Sequence, residues 1–104
     1  MKPALAGALV LAAAALGVPA TAAPQLSRVQ TQYLLKCGGC HGVEGRSPPG
    51  SVPVLRDSAG SFLCTPAGRN YVGRLPNVAL AQLSDDDLAG VLNYVAFDMG
   101  GAPE

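Results

Sequence analysis

Five consecutive residues, Cys37-Gly38-Gly39-Cys40-His41, concentrate the reactive side chains of this 104-residue chain. They hold two of its three cysteines and its single histidine. C-x-x-C-H is the spacing of covalent haem attachment. Two thiols at i and i+3 on a helical turn reach the two vinyl groups of a porphyrin and form thioethers. The imidazole of the next residue then comes under the iron as an axial ligand. The intervening glycines let the backbone lie close to the macrocycle edge. Two other chemistries use a C-x-x-C pair. A thioredoxin-like redox pair belongs in a βαβ setting, and no such pattern surrounds these residues. Half a zinc site would need a second pair of Cys or His ligands, and His41 is the only histidine. One covalently bound haem is the expected cofactor, with His41 as its metal ligand.

The elements that must position this motif are helical. Val29, Tyr33 and Cys37 fall at i, i+4 and i+8, one face of a 3.6-residue period, so Ser27 to Lys36 is expected to be a helix. Ser27 is its expected N-cap, and Gly38-Gly39 its expected end. Gly42 to Gly60 is expected to be a loop, because Pro48, Pro49, Gly50 and Pro53 block regular structure. A loop of that length in a small domain is usually functional. Here it can run beneath the haem and offer a backbone carbonyl to the His41 Nδ1 proton, a contact of the kind that orients metal ligands. Gly68 to Arg74 is expected to form a short helix, followed by a loop over Leu75-Pro76-Asn77-Val78. In the last helix Ser84 caps and Asp85, Asp86 and Asp87 fill the first turn, where the helix dipole favours anions. Ser84 and Asp87 have capping-box spacing. Leu88, Val91, Leu92 and Val95 follow the amphipathic pattern, and Gly100-Gly101 ends it. Helix capping is the expected role of the three aspartates. No internal repeat or strand alternation is present.

Residues 1–22 have a different character. Lys2 is their only charge, and an Ala/Leu/Val run extends from Ala4 to Val18 before the small residues Ala20-Thr21-Ala22. This is the pattern of a secretory signal peptide, with cleavage expected after Ala22. The run of about 15 residues is short of the roughly 20 that span a bilayer. Membrane attachment is therefore expected only if the segment is retained. Removing residues 1–22 from 104 leaves 82, a single exported, periplasmic domain of residues 23–104. Lys2 leaves too, so six basic residues stand against seven acidic ones. With no basic patch, nucleic acid is excluded as a partner. A domain this small also stands near the lower limit of what a side-chain core stabilises alone.

Taken together, residues 23–104 resemble the small bacterial class I c-type cytochromes. The resemblance rests on the Cys37–His41 motif, the helix before it, Pro53-Val54-Leu55, and the terminal Leu-Ser-Asp-Asp-Asp-Leu-Ala-Gly-Val-Leu-Asn-Tyr. It implies an all-α fold of three or so helices wrapped around one haem. It implies that the carbonyl of Pro53, twelve residues after His41, accepts the imidazole proton. It implies too that Leu55 packs on the haem edge, and that Tyr94 packs where the first and last helices cross, with Tyr33 and the Gly-Gly pair opposite. Cofactor-binding residues are thus expected at Cys37, Cys40, His41, Pro53 and Leu55. The implied function is that of a monomeric electron carrier, not an enzyme, passing single electrons from a dehydrogenase to a downstream acceptor.

The sixth iron ligand departs from the family's pattern. That family usually places a Met about seven residues before the Leu-Ser-Asp of the last helix, and Leu75 stands in that region here. Met1 leaves with the leader. Met99 lies beyond the last helix and is expected at the surface or in the tail. Cys64, among Phe62, Leu63, Thr65 and Pro66, is expected to be buried as a small hydrophobe. Met99, Cys64 or no protein group at all remain as the sixth ligand. The last case would make the chain a distal-open haem protein binding a small ligand such as carbon monoxide, nitric oxide or peroxide, as a sensor or weak peroxidase. Arg69, Tyr71 and Arg74 are the only plausible distal polar groups.

Overall fold

The structure is a computed structural model that describes residues 21–103. The expected leader, residues 1–22, lies outside the described residues except for Thr21 and Ala22, which are exposed and irregular. The described residues are helical and contain no strand. None of their helices is long and apolar enough to cross a membrane.

The first helix begins where expected. Ser27 is extended, its hydroxyl accepts from the Gln30 amide at 3.2 Å, and its own amide donates to Gln30 Oε1 at 2.9 Å. This reciprocal pair satisfies two amides that a helix start leaves open. Helix α1 (Arg28–Tyr33) runs on without a break through a π-helical segment, π1 (Leu34–Gly38), into α2 (Gly39–His41). Gly38 and Gly39 do not end the helix, as their backbones are ordinary right-handed ones. The end comes at Gly42, with φ 80° and ψ 157°, a conformation open essentially only to glycine.

Three short helices follow the loop. Helix α3 (Ala59–Leu63) begins inside the stretch expected to be loop, α5 (Pro76–Ala79) forms where a loop over residues 75–78 is expected, and α4 (Pro66–Arg74) starts two residues before its expected beginning. Two sequence signals account for α4 and α5. Thr65 Oγ1 accepts from the Gly68 amide at 2.9 Å with Pro66 just inside the helix, and Pro76 likewise opens α5. Proline suits a first helical turn because its missing N–H would have no partner there anyway.

Helix α6 (Asp85–Asn93) is capped by Ser84, whose hydroxyl accepts from the Asp87 amide at 3.1 Å. It continues as a second π-helical segment, π2 (Tyr94–Met99). Helix α6 packs across α1. Tyr33 and Tyr94 meet edge to face there, with centroids 5.7 Å apart. The glycine at the close approach is Gly90, where a Cβ would touch Val29 at 3.4 Å. The Gly38-Gly39 pair does not have that place. Gly38 faces its own helix's Leu34 and Tyr33, and nothing lies within 4 Å of a Cβ at Gly39.

The Asp87 side chain does not close the capping box either. It reaches across the same crossing to Arg28, with Nη2 to Oδ2 at 2.7 Å and Nε to Oδ1 at 3.0 Å. The Arg28 hydrogen bond is the main cause that holds the Asp87 carboxyl down at about 2, against an ordinary 3.8. A group whose pKa is lowered on folding adds stability above its unfolded value and loses it as pH falls through the folded one. Arg28→Gln should therefore lower the melting temperature at pH 6. The gap to the parent should close between about pH 4 and pH 2, as thermal unfolding followed by circular dichroism at both ends would show.

The side-chain core comprises Tyr33, Leu63, Val91, Val95, Ala96 and Met99. Leu34, Cys37, Leu55, Ala59, Val72, Leu83, Tyr94 and Ala102 pack against it. Met99 is 1% exposed, so it is neither a surface nor a tail residue. It closes the last helix rather than following it, because the π2 segment carries the helix five residues beyond Tyr94. Gly100 and Gly101 then end the helix as expected.

Candidate functional site

The motif sits at the C-terminal end of the first compound helix. Cys37 belongs to π1 and is half-buried against the core, whereas Cys40, one residue into α2, is exposed. Burial pushes the Cys37 thiol up, and the neighbouring Cys40 adds to the effect. A reactive dithiol works through a lowered thiol pKa, the direction opposite to that of Cys37. Among the described residues no group of three or more His, Cys, Asp and Glu side chains converges as a closed metal site would require.

His41 is fixed from the loop side. Its Nδ1 lies 2.8 Å from the Pro53 carbonyl oxygen. That oxygen can only accept, so Nδ1 carries a proton, and in the neutral ring Nε2 has the free lone pair. This is the tautomer an axial imidazole needs, and such a partner also fixes the ring's orientation.

Loop 42–58, which carries Pro53, is held at several points. The Gly45 carbonyl accepts from the amides of Leu55 at 2.9 Å and Arg56 at 3.1 Å. Arg56 Nε donates to the Glu44 carbonyl at 2.8 Å, and Ser47 Oγ to the Val52 carbonyl at 2.7 Å. The Asp57 amide donates to the Met99 carbonyl at 3.0 Å, tying the loop to the end of the last helix. Tyr33 adds a bond from within the core, its hydroxyl donating to the Gly42 carbonyl at 2.8 Å. Leu55 is half-buried and packs against the core. Cys37, Cys40, His41, Pro53 and Leu55 are thus brought into one region by the first helix and the loop that follows it.

Leu75 and Cys64 lie on other elements, whereas Met99 belongs to the core that Cys37 and Leu55 pack against. Leu75 is half-buried at the junction of α4 and α5. Cys64 is exposed, not buried, because it follows α3 as its C-cap and only Leu63 beside it turns inward. Sequence reasoning missed two residues that shape the site. Gly42 reverses the chain directly after His41. Gly45 lies against Met99, whose Sδ and Cγ fill the space a Cβ there would need. Both glycines have positive φ, but neither falls in a dipeptide that marks a turn.

No protein-family model matches the chain, and no solved structure does. Two curated proteins match, both of them a cytochrome c-552 of Thermus thermophilus. Each is 31% identical over 85 residues, covering 64% of this chain. The chain in turn spans 65% of the first relative and 57% of the second, less than two thirds of either. The chain is thus similar to c-type cytochromes over part of its length. Proteins of that kind carry haem c, and the residues present suit that group. The imidazole can present Nε2, and two unpaired thiols precede it at the right spacing. Tyr71, 60% exposed, and Phe62 are large apolar side chains left outside the core.

Proposed function

We propose that this chain is a c-type cytochrome, an exported single-electron carrier whose haem is bonded through Cys37 and Cys40 and whose iron is ligated by His41. The observation that carries this reading is the 2.8 Å contact between His41 Nδ1 and the Pro53 carbonyl. It fixes the protonation and direction of the one imidazole in the chain, next to two thiols at attachment spacing. Bound haem supplies reversible one-electron chemistry at its iron. The chain's own residues do the rest. Pro53 holds the imidazole proton, Leu55 and the half-buried Cys37 supply apolar packing, and the exposed Cys40 lies at the open side of the motif. Axial ligation, burial and hydrogen bonding are the means by which a protein sets such a potential. The leader-like residues 1–22 support a periplasmic location, with cleavage after Ala22 leaving residues 23–104 as the working domain.

The partners in this reading are redox proteins, a dehydrogenase as donor and a downstream acceptor, met by a monomer. Near-neutral charge gives little long-range steering, so docking uses a small apolar patch and association depends weakly on salt. The exported chain is expected to keep a haem that stains after denaturing electrophoresis and to give a reversible one-electron wave in voltammetry. The double variant Cys37→Ala/Cys40→Ala is expected to lose the stain. A double variant that still holds haem after denaturation would overturn the attachment, and a haem-loaded protein with no reversible wave would overturn the carrier role.

A further inference from the structure

His41 and Pro53 stand on different elements. The imidazole comes from the end of the first compound helix, and its acceptor comes from the loop that follows. Their 2.8 Å contact holds only while helix end and loop keep a fixed spacing. Tyr33 is the residue that joins the two.

Its ring is anchored in the core, 1% exposed and edge to face with Tyr94. Its backbone ends α1, on the same unbroken helix as His41. Its hydroxyl donates at 2.8 Å to the carbonyl of Gly42, the first residue of the loop. The same carbonyl accepts from the Gly45 amide at 3.1 Å. The Gly45 carbonyl in turn accepts from the amides of Leu55 and Arg56, close behind Pro53 in the chain. Met99 Sδ lies against Gly45 as well. A continuous run of contacts therefore leads from the Tyr33 hydroxyl to the residues beside Pro53.

The helix crossing itself does not call for that hydroxyl. A phenylalanine ring would fill the same space, and a buried hydroxyl is unfavourable unless it is bonded. The bond to Gly42 is what the oxygen adds.

We propose that Tyr33 is a positioning residue for the axial imidazole: its hydroxyl, acting through Gly42 and Gly45, holds the His41–Pro53 hydrogen bond in place and so helps to set the reduction potential. The proposal rests on the haem attachment proposed above. An acceptor that holds the Nδ1 proton makes the imidazole a more basic ligand. A more basic ligand favours the ferric over the ferrous state, and such hydrogen bonding is one means of tuning a haem potential. Loosening the loop weakens that hold, so the potential rises.

The test uses the exported, haem-loaded protein, with attachment verified first by its pyridine haemochrome. Tyr33→Phe keeps the ring and removes the hydroxyl. Its reduction potential in voltammetry is expected to shift upward from the parent's. Tyr94→Phe removes a hydroxyl from the other ring of the pair and leaves the Gly42 bond in place, so its potential should match the parent's. A Tyr33→Phe protein that is less stable than the parent yet has the parent's potential would overturn the proposal, leaving Tyr33 a core residue only. So would an equal shift in Tyr94→Phe. Hydrogen exchange of the parent gives a check that needs no variant. The Leu55 and Arg56 amides should exchange as slowly as those of α1, and exchange at the rate of open loop amides would break the run of contacts and the proposal with it. A protein without covalent haem fails the attachment reading, whereas a haem-loaded Tyr33→Phe protein with an unchanged potential fails this inference alone.

Discussion

Chain prepared without haem is expected to show no cooperative thermal transition. The effect should be the largest any single intervention produces here, because the polypeptide supplies so little interior of its own. Six apolar side chains are buried among the described residues, and only Tyr33, Val91 and Met99 have less than 2% of their surface exposed. Leu35, Val43, Val54, Phe62, Tyr71, Leu80 and Phe97 remain in contact with solvent. Domains of this size bury a smaller fraction of their surface than larger ones do, and a cofactor or metal usually makes up the difference. Haem would bring a large apolar body to the half-buried Cys37, with covalent bonds that keep it from leaving. Calorimetry of the Cys37→Ala/Cys40→Ala chain, purified free of haem, should record a broad, featureless trace. A sharp endotherm in that sample would show that the side-chain core suffices.

Gly42→Ala is expected to destabilise the haem-loaded protein by about 3 kcal/mol, the upper end of the cost of one residue held in a forbidden backbone region. Two causes act together. The backbone at φ 80° and ψ 157° is open essentially only to glycine. A Cβ there would also stand 2.7 Å from the Arg46 carbonyl oxygen, which is backbone and cannot rotate away. The strain falls directly after His41 and on the carbonyl that Tyr33 holds, so the imidazole should lose its orientation along with the loop. Gly50→Ala is the control. Gly50 also has positive φ, but nothing lies within 4 Å of its Cβ position, so a loss of about 1 kcal/mol is expected. Denaturant unfolding of both variants checks the ranking, and equal losses would show that the contact with Arg46 contributes nothing.

What could be read in the chain and what could not follow from the range of the forces involved. Ser27, Ser84 and the apolar spacing of Val29, Tyr33, Val91 and Val95 act within a turn or two, so both long helices were legible, and their meeting at Tyr94 was legible through family resemblance. The Pro53 carbonyl was legible through family resemblance, and the structure places it against His41. The helix end was misjudged because glycine permits a stop without forcing one. Gly38 and Gly39 remain helical where packing favours it, and the stop waits for Gly42. Thr65-Pro66 and Leu75-Pro76 carried capping signals that the surrounding prolines and glycines obscured. The inward turn of Met99 and the exposure of Cys64 depend on contacts between residues tens of positions apart. No local pattern records them.

The π-helical segment before the motif bears on how the first helix is phased. An α-helix advances about 100° per residue, and a π turn takes up one residue more for the same turn of the helix. Leu34–Gly38 thus holds one residue of slack between Tyr33, anchored in the core, and His41, which meets the loop. Deleting a residue there would let the segment relax to α-helix and leave everything beyond it facing much as before, whereas a deletion that no π turn absorbs would swing it by about 100° relative to Tyr33. The direction in which Cys37, Cys40 and His41 face is therefore a property of helical phase upstream, not of the five-residue motif itself. A transplanted motif would face correctly only in a helix with the same phase.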